Sequence, residues 1–209
     1  MFATLLSLLD TLGLIAFATT GALVASRQQM DITGFVLLAV ATGVGGGTLR
    51  DVVLGLTPVF WVRAPAPVLL CAGIGAVGYF LAHLPASRLT LVLWCDAIGL
   101  SGFSVTGADV ALTAGAHPAV AVGLGVATAT VGGILRDLLG GETPLILRRE
   151  IYVTASLLGS VVFLSALALG VTRDFAMAMG GSACFLLRGV ALIRNWSLPR
   201  YRARPPSAP

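Results

Sequence analysis

The sequence contains no lysine; all thirteen of its basic residues are arginine. Charge is scarce altogether, at 11% of 209 residues, against about 25% in ordinary soluble domains. With 57% hydrophobic residues and a mean hydropathy of +0.96, too little polar surface remains to cover a globule of this size. A bilayer core accepts apolar residues facing outward, so the class expected is an all-α polytopic membrane protein. Cysteine is equally sparse. Cys71, Cys95 and Cys184 stand singly in apolar runs without CxxC spacing, and His83 and His117 fall at predicted helix ends. That pattern argues against a metal centre or disulfide framework and for small buried hydrophobes. No nucleophile–base–orienter set is present, so neither an enzyme nor a bound cofactor is expected. Gly43-Val44-Gly45-Gly46-Gly47 resembles part of a phosphate loop but lies inside an apolar run, without the strand–turn–helix context that motif needs.

Seven apolar stretches approach the roughly 20 residues a spanning helix needs: about 4–26, 33–57, 65–83, 89–112, 118–141, 150–170 and 173–193. The N-terminus lacks a basic leader and Asp10 interrupts its first apolar residues, so the first stretch is expected to stay as a helix. If the N-terminus faces outside, the inner connections and tail hold Arg27, Arg88, Arg148, Arg149, Arg194, Arg200, Arg202 and Arg204, while the outer connections hold Arg63 and Arg173. Positive charge concentrates on the cytoplasmic side. The tail, 196–209, is therefore expected in the cytoplasm, as a topology signal and not a nucleic-acid site. Arg188 is expected to snorkel to the inner interface. Arg148 and Arg149 suit an anionic lipid head group.

The chain also repeats itself. A shift of 86 residues aligns Asp10 with Asp96, Gly13 with Gly99, Phe17 with Phe103, and Thr20-Gly21-Ala22 with Thr106-Gly107-Ala108. Without a gap it also aligns Gly46-Gly47 with Gly132-Gly133, Leu49-Arg50-Asp51 with Leu135-Arg136-Asp137, Gly55 with Gly141, Thr57-Pro58 with Thr143-Pro144, and Arg63 with Arg149. Chance likeness between apolar helices yields Leu-for-Val matches, not ungapped Gly, Pro, Arg and Asp. Each copy holds three spans, an odd number, so the second enters the membrane from the opposite side. The expected organisation is a three-helix repeat over 1–86, its inverted copy over 87–172, a seventh helix over 173–195 and the tail.

Gly45, Gly46 and Gly47 fall near mid-span, as do Gly132 and Gly133 in the second copy. Each glycine costs about 1 kcal/mol in a helix interior. Such runs predict broken helices, which a membrane tolerates only where they line a wet path or are buried in protein. Arg50, Asp51, Arg136 and Asp137 each cost about 2.5–3.5 kcal/mol at a helix centre even on lenient insertion scales. Depth along the helices predicts Asp10 paired with Arg50 and Asp96 with Arg136. Asp51 and Asp137 point about 100° away from the arginines beside them and are left to meet a permeating cation. Thr48, Ser104 and Thr106 supply hydroxyls at similar levels. Asp109, unmatched in the first copy, is expected at a solvated helix end.

Asp10-Thr-Leu-Gly13, Gly45-Gly-Gly-Thr-Leu-Arg-Asp51 and Gly55-Leu-Thr-Pro58 stand with Asp96-Ala-Ile-Gly99, Gly132-Gly-Ile-Leu-Arg-Asp137 and Gly141-Glu-Thr-Pro144. This doubled set resembles the prokaryotic trimeric intracellular cation (TRIC) channels, over nearly the whole chain to about residue 195. The resemblance implies a homotrimer with one pore per subunit, passing monovalent cations, K+ above all. Its pore would be lined by the second and fifth helices, which maps onto Gly45–Gly47, Arg50, Asp51, Gly132, Gly133, Arg136 and Asp137. The chain lacks the lysine-containing motif of the eukaryotic members, so a bacterial inner membrane is expected. Bacterial members are also catalogued as glycine transporters, leaving a secondary transporter of small amino acids as the second reading.

Overall fold

The computed structural model describes residues 2–82, 87–147 and 150–197, with side chains from Leu6 onward. Among these residues the chain forms eight α-helices and no β-sheet. They are α1 (Phe2–Arg27), α2 (Ile32–Val53), α3 (Phe60–Arg63), α4 (Ala66–Leu81), α5 (Arg88–Thr113), α6 (Pro118–Leu139), α7 (Val153–Ala168) and α8 (Arg173–Arg194), with a 3-10 turn at Leu145–Leu147. α1, α2, α5, α6 and α8 are long and apolar enough to cross a membrane; α4 and α7 have 16 residues each. At 1.5 Å per residue those two span about 24 Å, short of a hydrocarbon core of about 30 Å. They lie within the expected third and sixth stretches, 65–83 and 150–170. Residues 54–65 and 140–147 turn back against the helices that precede them, through α3 and the 3-10 turn, where Phe60 N and Leu145 N donate to Asp51 and Asp137.

Local chemistry fixes the ends. Asp31 caps α2 by accepting from Gly34 N (2.8 Å), and Ser87 caps α5 by accepting from Thr90 N (3.3 Å). α2 and α6 stop at Gly55 and Gly141, both at φ +67°, a conformation only glycine adopts freely. There Leu56 N donates to Asp51 O and Glu142 N to Asp137 O, each at 2.8 Å. This closes matching Schellman motifs. Within the helices, Thr42, Thr48, Thr128 and Thr130 donate to the carbonyl four residues earlier. Those hydroxyls are thereby satisfied inside their own helices.

Here the glycines depart from expectation. α2 and α6 run unbroken through Gly45–Gly47 and Gly132–Gly133. Freeing backbone groups in an apolar medium costs several kcal/mol each, more than the helical penalty of about 1 kcal/mol per glycine. The glycines serve close approach. A Cβ on Gly46 would stand 2.0 Å from Thr128 O, and one on Gly132 would stand 2.3 Å from Thr42 O. The same exchange governs α1 against α5: a Cβ on Gly13 would meet the Phe103 ring at 2.8 Å, and one on Gly99 the Phe17 ring at 2.2 Å. Phe17 and Phe103 meet edge-on at the centre, 5.2 Å between centroids.

The copies drift by one residue after the Thr-Pro pair. Asp51 Oδ2 accepts from Phe60 N and Asp137 Oδ2 from Leu145 N, both at 2.8 Å, so the equivalent residues lie 85 apart. α4 and α7 keep that offset. Gly75 packs on Ala39, and Ser160 packs on Gly125.

Candidate functional site

α1, α2, α5 and the returning segment 54–65 enclose a cavity of about 600 Å³. Asp10, Arg50, Asp51, Phe60 and Arg63 supply its polar and aromatic lining, and Gly43, Gly47, Phe103 and Thr128 its inner wall. Ser7, Leu56 and Pro58 also line it, near the start of α1 and just after α2. Arg50 turns back on its neighbour, its Nη2 2.7 Å and its Nε 2.9 Å from Asp51 Oδ1. With Oδ2 held by Phe60 N, Asp51 spends both oxygens inside the protein. The expected Asp10–Arg50 ion pair is not formed: both face the cavity, and Asp10 lies beside Thr106 without an ion-pair partner among the described residues. The backbone directions of Arg50 and Asp51 do diverge, but a long guanidinium reaches round where a short aspartate cannot.

The corresponding place in the second copy is filled. Arg136 has no exposure; its Nη1 donates to Asp96 (2.7 Å) and to Thr20 Oγ1 (2.9 Å), and its Nε to Asp137 Oδ1 (2.9 Å). Asp137 is anchored like Asp51, through Leu145 N. Tyr152 stands where the first copy has Pro67 in the 85-residue register. It is buried, with its hydroxyl against Gly133. The Arg188 guanidinium lies over the Tyr152 ring, 5.3 Å from its centroid. One polar constellation therefore opens on a cavity and its counterpart forms a plug.

The remaining predicted site residues fall elsewhere. Gly45 faces Leu135, and Gly46 and Gly132 make the α2–α6 crossing. Thr48 accepts from Trp61 Nε1 at 2.9 Å. Ser104 is buried against α7, its carbonyl accepting from Ser160 Oγ at 2.9 Å. Arg188 does not snorkel; it is buried, paired with Glu150, and donates to Ile151 O at 3.3 Å. Asp109 is not solvated but buried, 2.5 Å from Arg173 Nε. Arg148, Arg149 and His83 lie outside the described residues. Tyr152, and Thr20 as partner of Arg136, were invisible to the sequence reading. The one-residue loop difference that aligns Tyr152 with Pro67 leaves no mark in an ungapped comparison.

The family model described as Glycine transporter matches residues 7–83 and 93–168, two stretches whose starts lie 86 residues apart and whose ends lie 85 apart. Among solved structures, a TRIC trimeric intracellular cation channel orthologue from Rhodobacter sphaeroides is 58% identical, superposes with a TM-score of 0.90, and covers 92% of this chain and 100% of its own. The chain belongs to the TRIC family. A second TRIC structure, described in terms of conductance through TRIC cation channels, is 33% identical at a TM-score of 0.82, covering 95% and 98% of the two chains. The inner membrane protein YadS of Escherichia coli K12 is 38% identical over 195 residues, 92% of this chain and 94% of its own. These TRIC relatives are channels and membrane proteins, not enzymes.

Proposed function

We propose that the chain is a monovalent cation channel of the bacterial inner membrane, conducting K+ above other ions, with one pore in each subunit of a homotrimer. The observation that carries this reading is the cavity in which Arg50 is paired with Asp51 while Asp10, beside Thr106, forms no ion pair among the described residues. The ion occupies the cavity lined by Asp10, Gly43, Gly47 and Arg63, and in the conducting state continues past Gly133, Asp137 and the Asp96–Arg136 plug. Asp51 and Asp137 hold the two arginines in place, and Asp10 meets the cation. Likeness to TRIC cation channel structures supports the cation and the trimer.

The same reading makes residues 87–172 an inverted copy of 1–86 about an axis in the membrane plane, supported by the exchanged Gly13–Phe103 and Gly99–Phe17 contacts. The N-terminus is outside and the tail cytoplasmic, supported by the gathering of Arg27, Glu142, Arg88 and Ser26 at one level. A C-terminal green fluorescent protein fusion tests this: fluorescence fits a cytoplasmic tail, and a dark fusion overturns it.

A second reading, a carrier of glycine or another small amino acid, is favoured by the match to the family model described as Glycine transporter and by a cavity in one half whose counterpart in the other is filled, an asymmetry that alternating access uses. Recording in planar bilayers separates the two. Discrete unitary currents in symmetric KCl without amino acid are expected. Saturable glycine uptake without unitary current overturns the channel.

A further inference from the structure

Arg188 belongs to α8, outside the repeat, and is 1% exposed in a helix apolar enough to cross a membrane. A charge so placed is costly and persists only with partners. Its Nη2 is paired with Glu150 and its Nη1 donates to Ile151 O at 3.3 Å, while its Nε has no partner among the described residues. A pair that only fastened α8 to the bundle would be sealed behind apolar side chains. Instead Arg188 and Glu150 both line a cavity of about 390 Å³ between the start of α5 and the end of α8. One cavity thus presents a base and an acid together.

Two of the chain's three tryptophans, Trp94 and Trp196, line the same cavity, and Asn195 adds an amide. Tryptophan gathers at the head-group level of a bilayer, where its ring meets hydrocarbon and its N–H meets water. Trp94 lies six residues from the start of α5 at Arg88, and Arg188 six from the end of α8 at Arg194. Each is therefore about 9 Å below its helix end, so the cavity reaches from the membrane surface to the edge of the hydrocarbon. There it meets an apolar track. The Trp94 ring packs on Phe185, 6.3 Å between centroids, and Ile98, one turn deeper on α5, is exposed.

We propose that this cavity binds the head group of a phospholipid that carries both a phosphate and a primary ammonium. The ammonium suits the Glu150 carboxylate and the indole faces beside it, which attract a cation. The phosphate suits the remaining donor of Arg188 and the Asn195 amide, as a charge-assisted acceptor. A head group that is only anionic satisfies the base and leaves the Glu150 carboxylate facing like charge. Free phosphoethanolamine offers the same polar groups but makes no use of the track past Phe185 and Ile98. The inference stands apart from the choice between channel and carrier, since neither reading uses Arg188 or Glu150.

Native mass spectrometry of the full chain in mild detergent tests this, with phosphatidylethanolamine and phosphatidylglycerol of identical acyl chains added in competition. Wild type is expected to retain one phosphatidylethanolamine per chain in preference to phosphatidylglycerol. Glu150→Gln removes the partner of the ammonium and is expected to weaken that lipid about tenfold, the worth of one charge-assisted hydrogen bond. Trp196→Ala leaves the Arg188–Glu150 pair intact at a half-exposed position, so it folds even if Glu150→Gln does not. It is expected to lower the preference about threefold, with helicity by circular dichroism unchanged. Equal retention of the two lipids by wild type overturns the proposal, as does an unchanged preference in the folded variants. Displacement of the lipid by equimolar phosphoethanolamine overturns the lipid as its source, and resistance to it supports the apolar track.

Discussion

Arg136 is held by three groups from three helices and is fully buried. Removing one partner of a buried ion pair leaves an uncompensated charge and costs about 3–5 kcal/mol. Asp96→Ala is therefore expected to lower stability by about that amount, read from fluorescence-monitored unfolding in detergent. Asp10→Ala, which breaks no ion pair, stays within about 1 kcal/mol of wild type. Equal losses in the two variants contradict the asymmetry between plug and cavity. The four mid-span charges were legible in the sequence as costly and paired, because nothing else makes Arg and Asp tolerable in an apolar run. Their partners were only partly legible. Depth along the helices brought Arg136 to Asp96, but it could not foresee Arg50 folding back on Asp51, because that depends on side-chain reach and on the room Pro67 leaves.

α2 and α6 cross with glycine against carbonyl, and the contact leaves no space for a methyl group. Gly46→Ala and Gly132→Ala are each expected to push the helices apart and cost about 1–3 kcal/mol through overpacking. Gly123→Ala, on an open helix face, instead gains up to about 1 kcal/mol from helix propensity. The same unfolding measurement checks all three, and a stabilised Gly46→Ala contradicts the tight crossing. An all-helical membrane fold was readable from residue order, while the seven spans expected stand against eight helices among the described residues, five of them long and apolar enough to cross. Whether the glycines break a helix or let two helices touch was not, since both uses place the same residue at the same depth. Residues 54–57 and 140–141 were absorbed into the second and fifth spans, because hydropathy does not separate an apolar turn from a helix end.

Among the described residues, the first Arg-Asp constellation lines a cavity and the second is buried against Tyr152. Tyr152 fills the second half where Pro67 leaves the first half empty, so Tyr152→Ala is expected to raise unitary conductance in bilayer recordings, and an unchanged conductance argues against Tyr152 as part of the closure. The central claim is that the cavity is part of a cation path lined by the half-buried Asp10 carboxylate. Reversal potentials across a planar bilayer bathed in unequal KCl test it most directly. Wild type is expected to reverse near the K+ equilibrium potential, with Asp10→Asn shifted towards zero and reduced in conductance at unchanged stability. A variant with the wild-type reversal potential and conductance contradicts the account.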